Sequence, residues 1–83
     1  MKITVKLFAS LQGYLPAGAE NYAAVVDVAG GASPADVLRQ LKIPAQAAHL
    51  LLLNGASIAP DQRAAVELTD GDVLALWPPV AGG

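Results

Sequence analysis

The strongest constraint on the fold of this chain is a helix start, Ser33-Pro34-Ala35-Asp36. Serine supplies an N-cap oxygen, proline suits the first helical position, where its missing N–H has no partner to lose, and an acid stands three residues after the cap. Val37, Leu38 and Leu41 then form one stripe at helical spacing, and Pro44 ends the pattern after Ile43, so about two turns of helix are predicted. A helix that short has to lie across something larger.

The flanking segments supply a sheet. Ile3, Val5 and Leu7 alternate with Lys2, Thr4 and Lys6, the period of a half-buried strand, which predicts a first strand over 2–8 ending at Phe8. Residues 9–18 contain Gly13, Pro16 and Gly18 and read as a short helical turn or loop. Residues 22–28 read as a second strand, antiparallel to the first. Gly30 and Gly31 break it ahead of the helix. After a turn over 45–48 comes the unbroken run His49-Leu50-Leu51-Leu52-Leu53, which suits a strand covered on both faces or meeting a partner. Asn54-Gly55 favours a primed turn with a short return strand over 56–58, and Thr69-Asp70-Gly71-Asp72 forms another turn before a last strand, Val73 to Trp77. This order predicts an α+β fold, a small mixed sheet with one main helix packed on a face, and a single domain over 1–83. A chain of this size buries roughly 60% of its unfolded surface. With no cysteine to staple it, its core rests on aliphatics, and hydrophobic residues at 54% supply them.

Beyond the last strand the sequence changes character. Pro78 and Pro79 lack an N–H and have φ near −65°, so they end the strand at Trp77 and send the backbone out extended. Val80, Ala81, Gly82 and Gly83 span on the order of 13 Å when extended, and the two glycines carry no Cβ to obstruct a narrow channel. The expectation is an extended tail over 78–83 whose one chemical group is the carboxylate of Gly83. That group is anionic at neutral pH and a poor electrophile until activated, so the tail calls for an activating enzyme.

Other chemistry is sparse. His49, the only histidine, has no acid or thiol at metal-ligand spacing and reads as a strand-start residue, so no metal site is expected. Asp70 and Asp72 fit turn chemistry better than a cation loop, Gly30-Gly31 lacks a phosphate-loop fingerprint, and Ser10, Ser33 and Ser57 sit in no nucleophile motif. The chain lacks the parts of a self-sufficient enzyme. Net charge is −2, and Lys2, Lys6, Arg39, Lys42 and Arg63 are scattered, which argues against nucleic acid and membrane as partners. No signal-peptide core follows Met1, so a cytoplasmic location is expected. Phe8 and Trp77 stand either in the core or in an exposed contact patch at the base of the tail.

Leu7-Phe8-Ala9, Leu68-Thr69-Asp70-Gly71-Asp72 and Pro78-Pro79-Val80-Ala81-Gly82-Gly83 resemble motifs of the small subunits of molybdopterin synthase, within the ubiquitin-like sulfur carriers that include the thiamine-pathway carrier. The resemblance implies a β-grasp fold and a non-catalytic carrier. In such carriers an ATP-dependent adenylating enzyme activates the terminal glycine, here Gly83, and a sulfur donor converts it to a thiocarboxylate, with ATP used by the partner and no cofactor bound to the carrier. It further implies insertion of the tail into a large catalytic subunit that forms the dithiolene of molybdopterin, two carriers flanking a central dimer of large subunits. By family position Phe8, Trp77 and Ile58 would pack against that subunit. Gln12-Gly13 replaces the family's common arginine and glutamate, and Ser57 stands where a larger apolar residue is frequent. Carriers for thiamine, cysteine or tRNA thiolation, and ubiquitin-like protein modifiers, share the diglycine end.

Overall fold

Alternation decides which way the first strand faces. In the computed structural model, which describes residues 1–79, Ile3, Val5 and Leu7 on β1 (Lys2–Leu7) are fully buried, while Lys2, Thr4 and Lys6 turn to the other face. The remaining strands are β2 (Ala23–Asp27), β3 (Leu50–Leu53), β4 (Ala56–Ser57) and β5 (Val73–Trp77). They line up in the order β2-β1-β5-β3-β4. β1 and β5 run parallel and every other neighbour pair is antiparallel, so the sheet is mixed. One helix, α1 (Pro34–Gln40), covers one face, which is the β-grasp arrangement that the resemblance implies.

The start of α1 is built as its sequence predicts. Ser33 Oγ accepts the Asp36 N–H at 3.2 Å, and Asp36 Oδ2 accepts the Ser33 N–H at 2.9 Å, a complete capping box. The C-terminus comes earlier than the proline at 44 suggested. Lys42 takes a left-handed conformation (φ 62), its N–H donates to the Arg39 carbonyl, and the Ile43 N–H donates to the Leu38 carbonyl at 2.9 Å. That pair of bonds is a Schellman closure, which ends the helix before Pro44 can.

Val37, Leu38 and Ile43 from the helix side meet Ile3, Val5, Leu7, Val26, Leu51, Leu74 and Leu76 from the sheet in one aliphatic core. The Leu50–Leu53 run is covered chiefly on this inner side: Leu51 is fully buried, whereas Leu50 is 38% exposed on the opposite face. The turn chemistry matches the reading of the sequence. Asn54 and Gly55 both have positive φ (49 and 87), as a primed hairpin needs.

Both sheet edges are blunted against pairing with other chains. β4 is two residues long. On β2, Ala23 exchanges both backbone bonds with Glu20, and Gln40 Nε2 donates to the Asp27 carbonyl at 2.8 Å. Among the described residues, no helix is long and apolar enough to cross a membrane.

Two polar devices fix the loops. Arg63 is buried, its Nη1 and Nη2 donating to the Ala48 and His49 carbonyls at 2.8 and 3.3 Å, and burial lowers its pKa. Its own carbonyl accepts the Ala35 N–H, so one residue ties the segment before β3 to the first turn of α1. Asp72 accepts from the Thr69 N–H (2.8 Å) and from Asn54 Nδ2 (3.0 Å), and Asn54 Oδ1 accepts the Val73 N–H, which joins the two turns and sets the start of β5.

Arg63→Ala strands the buried Ala48 carbonyl and the partly buried His49 carbonyl and is expected to cost about 2–3 kcal/mol in urea unfolding. The bonds to Thr69, and then that to Asn54, hold the Asp72 carboxyl below its ordinary value. Its contribution to stability is therefore present above about pH 4 and lost as the pH falls through the lower folded value. Thermal melts between neutral and strongly acidic pH should show Tm falling with acid, and Asp72→Asn should flatten part of that fall.

Candidate functional site

The alternation that buries Leu7 and Leu76 sends Phe8 and Trp77 to the other side of the sheet, the face that α1 leaves bare. There the Phe8 ring lies flat on Trp77, with centroids 4.4 Å apart and planes 5° from parallel, and Tyr22 stacks on its other side at 4.9 Å. Three of the chain's four aromatic residues thus form one row, and none of the three belongs to the core. Each stacked pair contributes about 0.5–1.5 kcal/mol beyond the area it buries.

The backbone holds this row at several points. The Phe8 N–H donates to the Leu76 carbonyl, extending the parallel β1–β5 ladder, and its carbonyl accepts the Leu11 N–H. Ala9 then turns the chain away through a left-handed conformation (φ 52), which costs an alanine on the order of 1 kcal/mol. The Tyr22 carbonyl accepts the Leu7 N–H at 2.8 Å, and Trp77 sits opposite Leu50. Pro78, half-buried, and Pro79, exposed, follow directly, so the aromatic row marks the point where the tail departs.

The rest of the bare face carries mostly small or aliphatic side chains, with Thr4, Ser57 and the charged Lys2, Asp27 and Lys6 among them. Strand register places Val25, Thr4 and Val73 in one row across it, and Ala23, Lys6, Ala75, Leu52 and Ser57 in the next, beside the aromatics. Val25 is 65% exposed and Tyr22 41%. An apolar plate of this kind, left open to water, is the ordinary signature of a docking surface.

Of the residues singled out from sequence, Phe8 and Trp77 are brought into contact. Ile58 is not beside them: its N–H donates to Leu51 and its side chain packs against the core on the helix side. Ser57 instead lies on the bare face, opposite Leu52. Val80, Ala81, Gly82 and Gly83 lie outside the described residues. Tyr22 and Leu50 join the row as strand residues that nothing local in the sequence brings there. His49 is exposed, and Asp70 accepts the Lys2 N–H at 2.6 Å as a turn residue. No group of three or more His, Asp or Glu placed to hold a metal occurs among the described residues. A depression of about 580 Å³ between α1 and Pro60 is lined mostly by aliphatic atoms and holds no nucleophile paired with a base.

The sequence model of the ThiS family matches residues 5–83. The chain is similar to SAMP1 from Haloferax volcanii, 32% identical over all of both chains with a TM-score of 0.69. It is also similar to a Pyrococcus furiosus protein provisionally described as molybdopterin converting factor subunit 1, at 26% identity over 95% of this chain and 98% of that one, TM-score 0.66. Subunit 1 of the Helicobacter pylori molybdopterin-converting factor, solved in complex with subunit 2, shares the fold at 22% identity over all of both chains, TM-score 0.60. No curated protein matches the chain by sequence.

Trp77 is the only tryptophan and reports on the stack directly. Phe8→Ala should red-shift its fluorescence and lower stability by about 1–2 kcal/mol. Unchanged emission would mean that the rings do not stack in solution.

Proposed function

The chain belongs to the ThiS family of ubiquitin-like sulfur carriers, and on that premise we propose that it carries sulfur on the carboxylate of Gly83 as the small subunit of molybdopterin synthase. The observation that carries this reading is the aromatic row at the tail root, on an open face with no catalytic groups. That is the arrangement of a handle, whose chemistry belongs to the protein that holds it.

The proposed cycle has three steps. A Gly83 carboxylate oxygen attacks the α-phosphorus of ATP in an adenylating, ubiquitin-activating-like enzyme and expels pyrophosphate. Sulfide-level sulfur from a donor then attacks the acyl carbon and expels AMP, leaving a thiocarboxylate. In the large subunit each thiocarboxylate passes one sulfur to the molybdopterin precursor, so two transfers build the dithiolene, and water replaces the sulfur on each acyl carbon to regenerate the carboxylate. Phe8 and Trp77 dock the body, while Pro78 to Gly82 lead the reactive end into the partner's cavity. Docking converts the encounter of thiocarboxylate and substrate into an intramolecular event, with the high effective concentration that implies. The assembly is two carriers on a central dimer of large subunits, in the cytosol. The same chemistry serves thiamine, cysteine or tRNA thiolation if a different partner takes the face.

A second reading has its own support. SAMP1 of Haloferax volcanii, 32% identical, is by name a small archaeal modifier protein, and a modifier joins its terminal glycine to lysines of targets.

Incubation with the adenylating enzyme, ATP and a sulfur donor should raise the intact mass by about 16 Da, sulfur replacing one oxygen on an activated acyl carbon. Deleting Gly83 should abolish the gain and leave the melting curve unchanged. Isopeptide-linked conjugates without any thiocarboxylate would decide for the modifier, and transfer that survives the deletion would overturn both readings. Trp77→Ala should weaken binding to the large subunit at least 10-fold if the row is the docking anchor.

A further inference from the structure

One side chain on the open face does not fit an apolar contact. Lys6 sits next to the last residue of β1, half-buried, one row in from Phe8 and Trp77, with Ala23 on β2 and Ala75 on β5 as its cross-strand neighbours. Among the described residues the ion pairs are Lys2 with Asp27 and Arg39 with Asp36, and Lys6 has no hydrogen-bonded or ionic partner. The contrast with Lys2 is informative. Both lysines are on the same strand and face the same way; Lys2 meets Asp27 directly across β2 at 2.8 Å, while the residue across from Lys6 is an alanine. The sheet neutralises one lysine and leaves the other facing outward between two small side chains that give an approaching group room.

We infer that the protein covering this face presents a carboxylate to Lys6, and that this one ion pair inside an apolar contact selects the partner and sets its register over the tail root. The inference rests on the reading of the open face as the docking surface. An apolar partner without an acid at that point would bury a bare ammonium uncompensated, and would be rejected. A partner with a carboxylate there gains a charge-assisted bond and a fixed orientation. A second copy of this chain is an outcome that the test separates: Glu20, bridged to Ala23 in the row of Lys6, carries a carboxylate with no ionic partner among the described residues, so a concentration-dependent dimer that Lys6→Glu abolishes would assign the ion pair to self-association and overturn the proposal. The site is not part of a basic patch, since the chain is acidic overall. The complement is therefore a mainly apolar surface with a single acid, not a polyanion.

The test uses the full chain with its large subunit and its adenylating enzyme, each purified, and reads the dissociation constant of each complex at low and high salt. Lys6→Met keeps the aliphatic stem and is expected to weaken binding about 10-fold, and Lys6→Glu about 100-fold or more, with Lys6→Arg close to wild type. Lys42→Glu, away from the sheet face, should change little. Melting curves of the Lys6 variants should overlay the wild type. An acid-to-lysine substitution on the partner that restores binding of Lys6→Glu would identify the carboxylate. If Lys6→Met binds as tightly as wild type while Trp77→Ala does not, the ion pair is wrong and the docking face stands. If neither change matters, or if wild type binds neither protein, the docking face falls as well.

Discussion

A five-stranded sheet needs cover on two faces to keep its apolar side chains dry, and this chain has one seven-residue helix to offer. The arrangement of the molecule follows from that shortage. The helix takes the face where Ile3, Val5, Leu7, Leu51, Leu74 and Leu76 converge, and aliphatic packing there supplies the core. The opposite face is left with alanines, valines, leucines and a stack of three aromatic rings in water. A face so exposed has to be tolerable in the free protein and useful in a complex. Blunted edges at Ala23, Asp27 and the two-residue β4 limit wrong pairings through the backbone while the face itself stays available.

The parallel pairing of β1 with β5 places β5 in the middle of the sheet, flanked by β1 and β3, so Pro78 and Pro79 continue from a strand supported on both sides and not from an edge. Asp72 and Asn54 lock the start of that strand, and the stack of Trp77 on Phe8 locks its end. The left-handed Ala9 belongs to the same arrangement. Its local strain lets the chain turn sharply after Phe8 and keeps the ring over the point of departure. Rigid support at both ends of β5 means that a partner gripping the face also knows where the tail begins.

Family membership sets the chemistry in outline, and the open face is where pathways within such a family can diverge. Carriers that share a tail differ in whom they meet, and the difference has to be written in side chains that a partner touches. Lys6 is a charged group on that surface with no counter-ion among the described residues. A buried cation elsewhere, Arg63, shows the alternative use of charge in this fold. Its guanidinium is spent on carbonyls of the segment before β3, where it serves the fold and is closed to partners.

Local signals in the sequence settled the helix start at Ser33, the primed turn at Asn54-Gly55, the last strand over 73–77 and the departure of the chain at Pro78. Each depends on residues within a few positions of one another, through capping, turn conformations and the missing proline N–H. Alternation also fixed which side of β1 is buried. What it left open was the end of α1, closed by a left-handed Lys42, and whether Phe8 and Trp77 lie inside or outside. The union of those two rings with Tyr22, the separation of Ile58 from them and the isolation of Lys6 between alanines came only with the tertiary structure. They are set by which strands become neighbours and in what register, and that is decided by the collective packing of a core whose members are far apart in the chain.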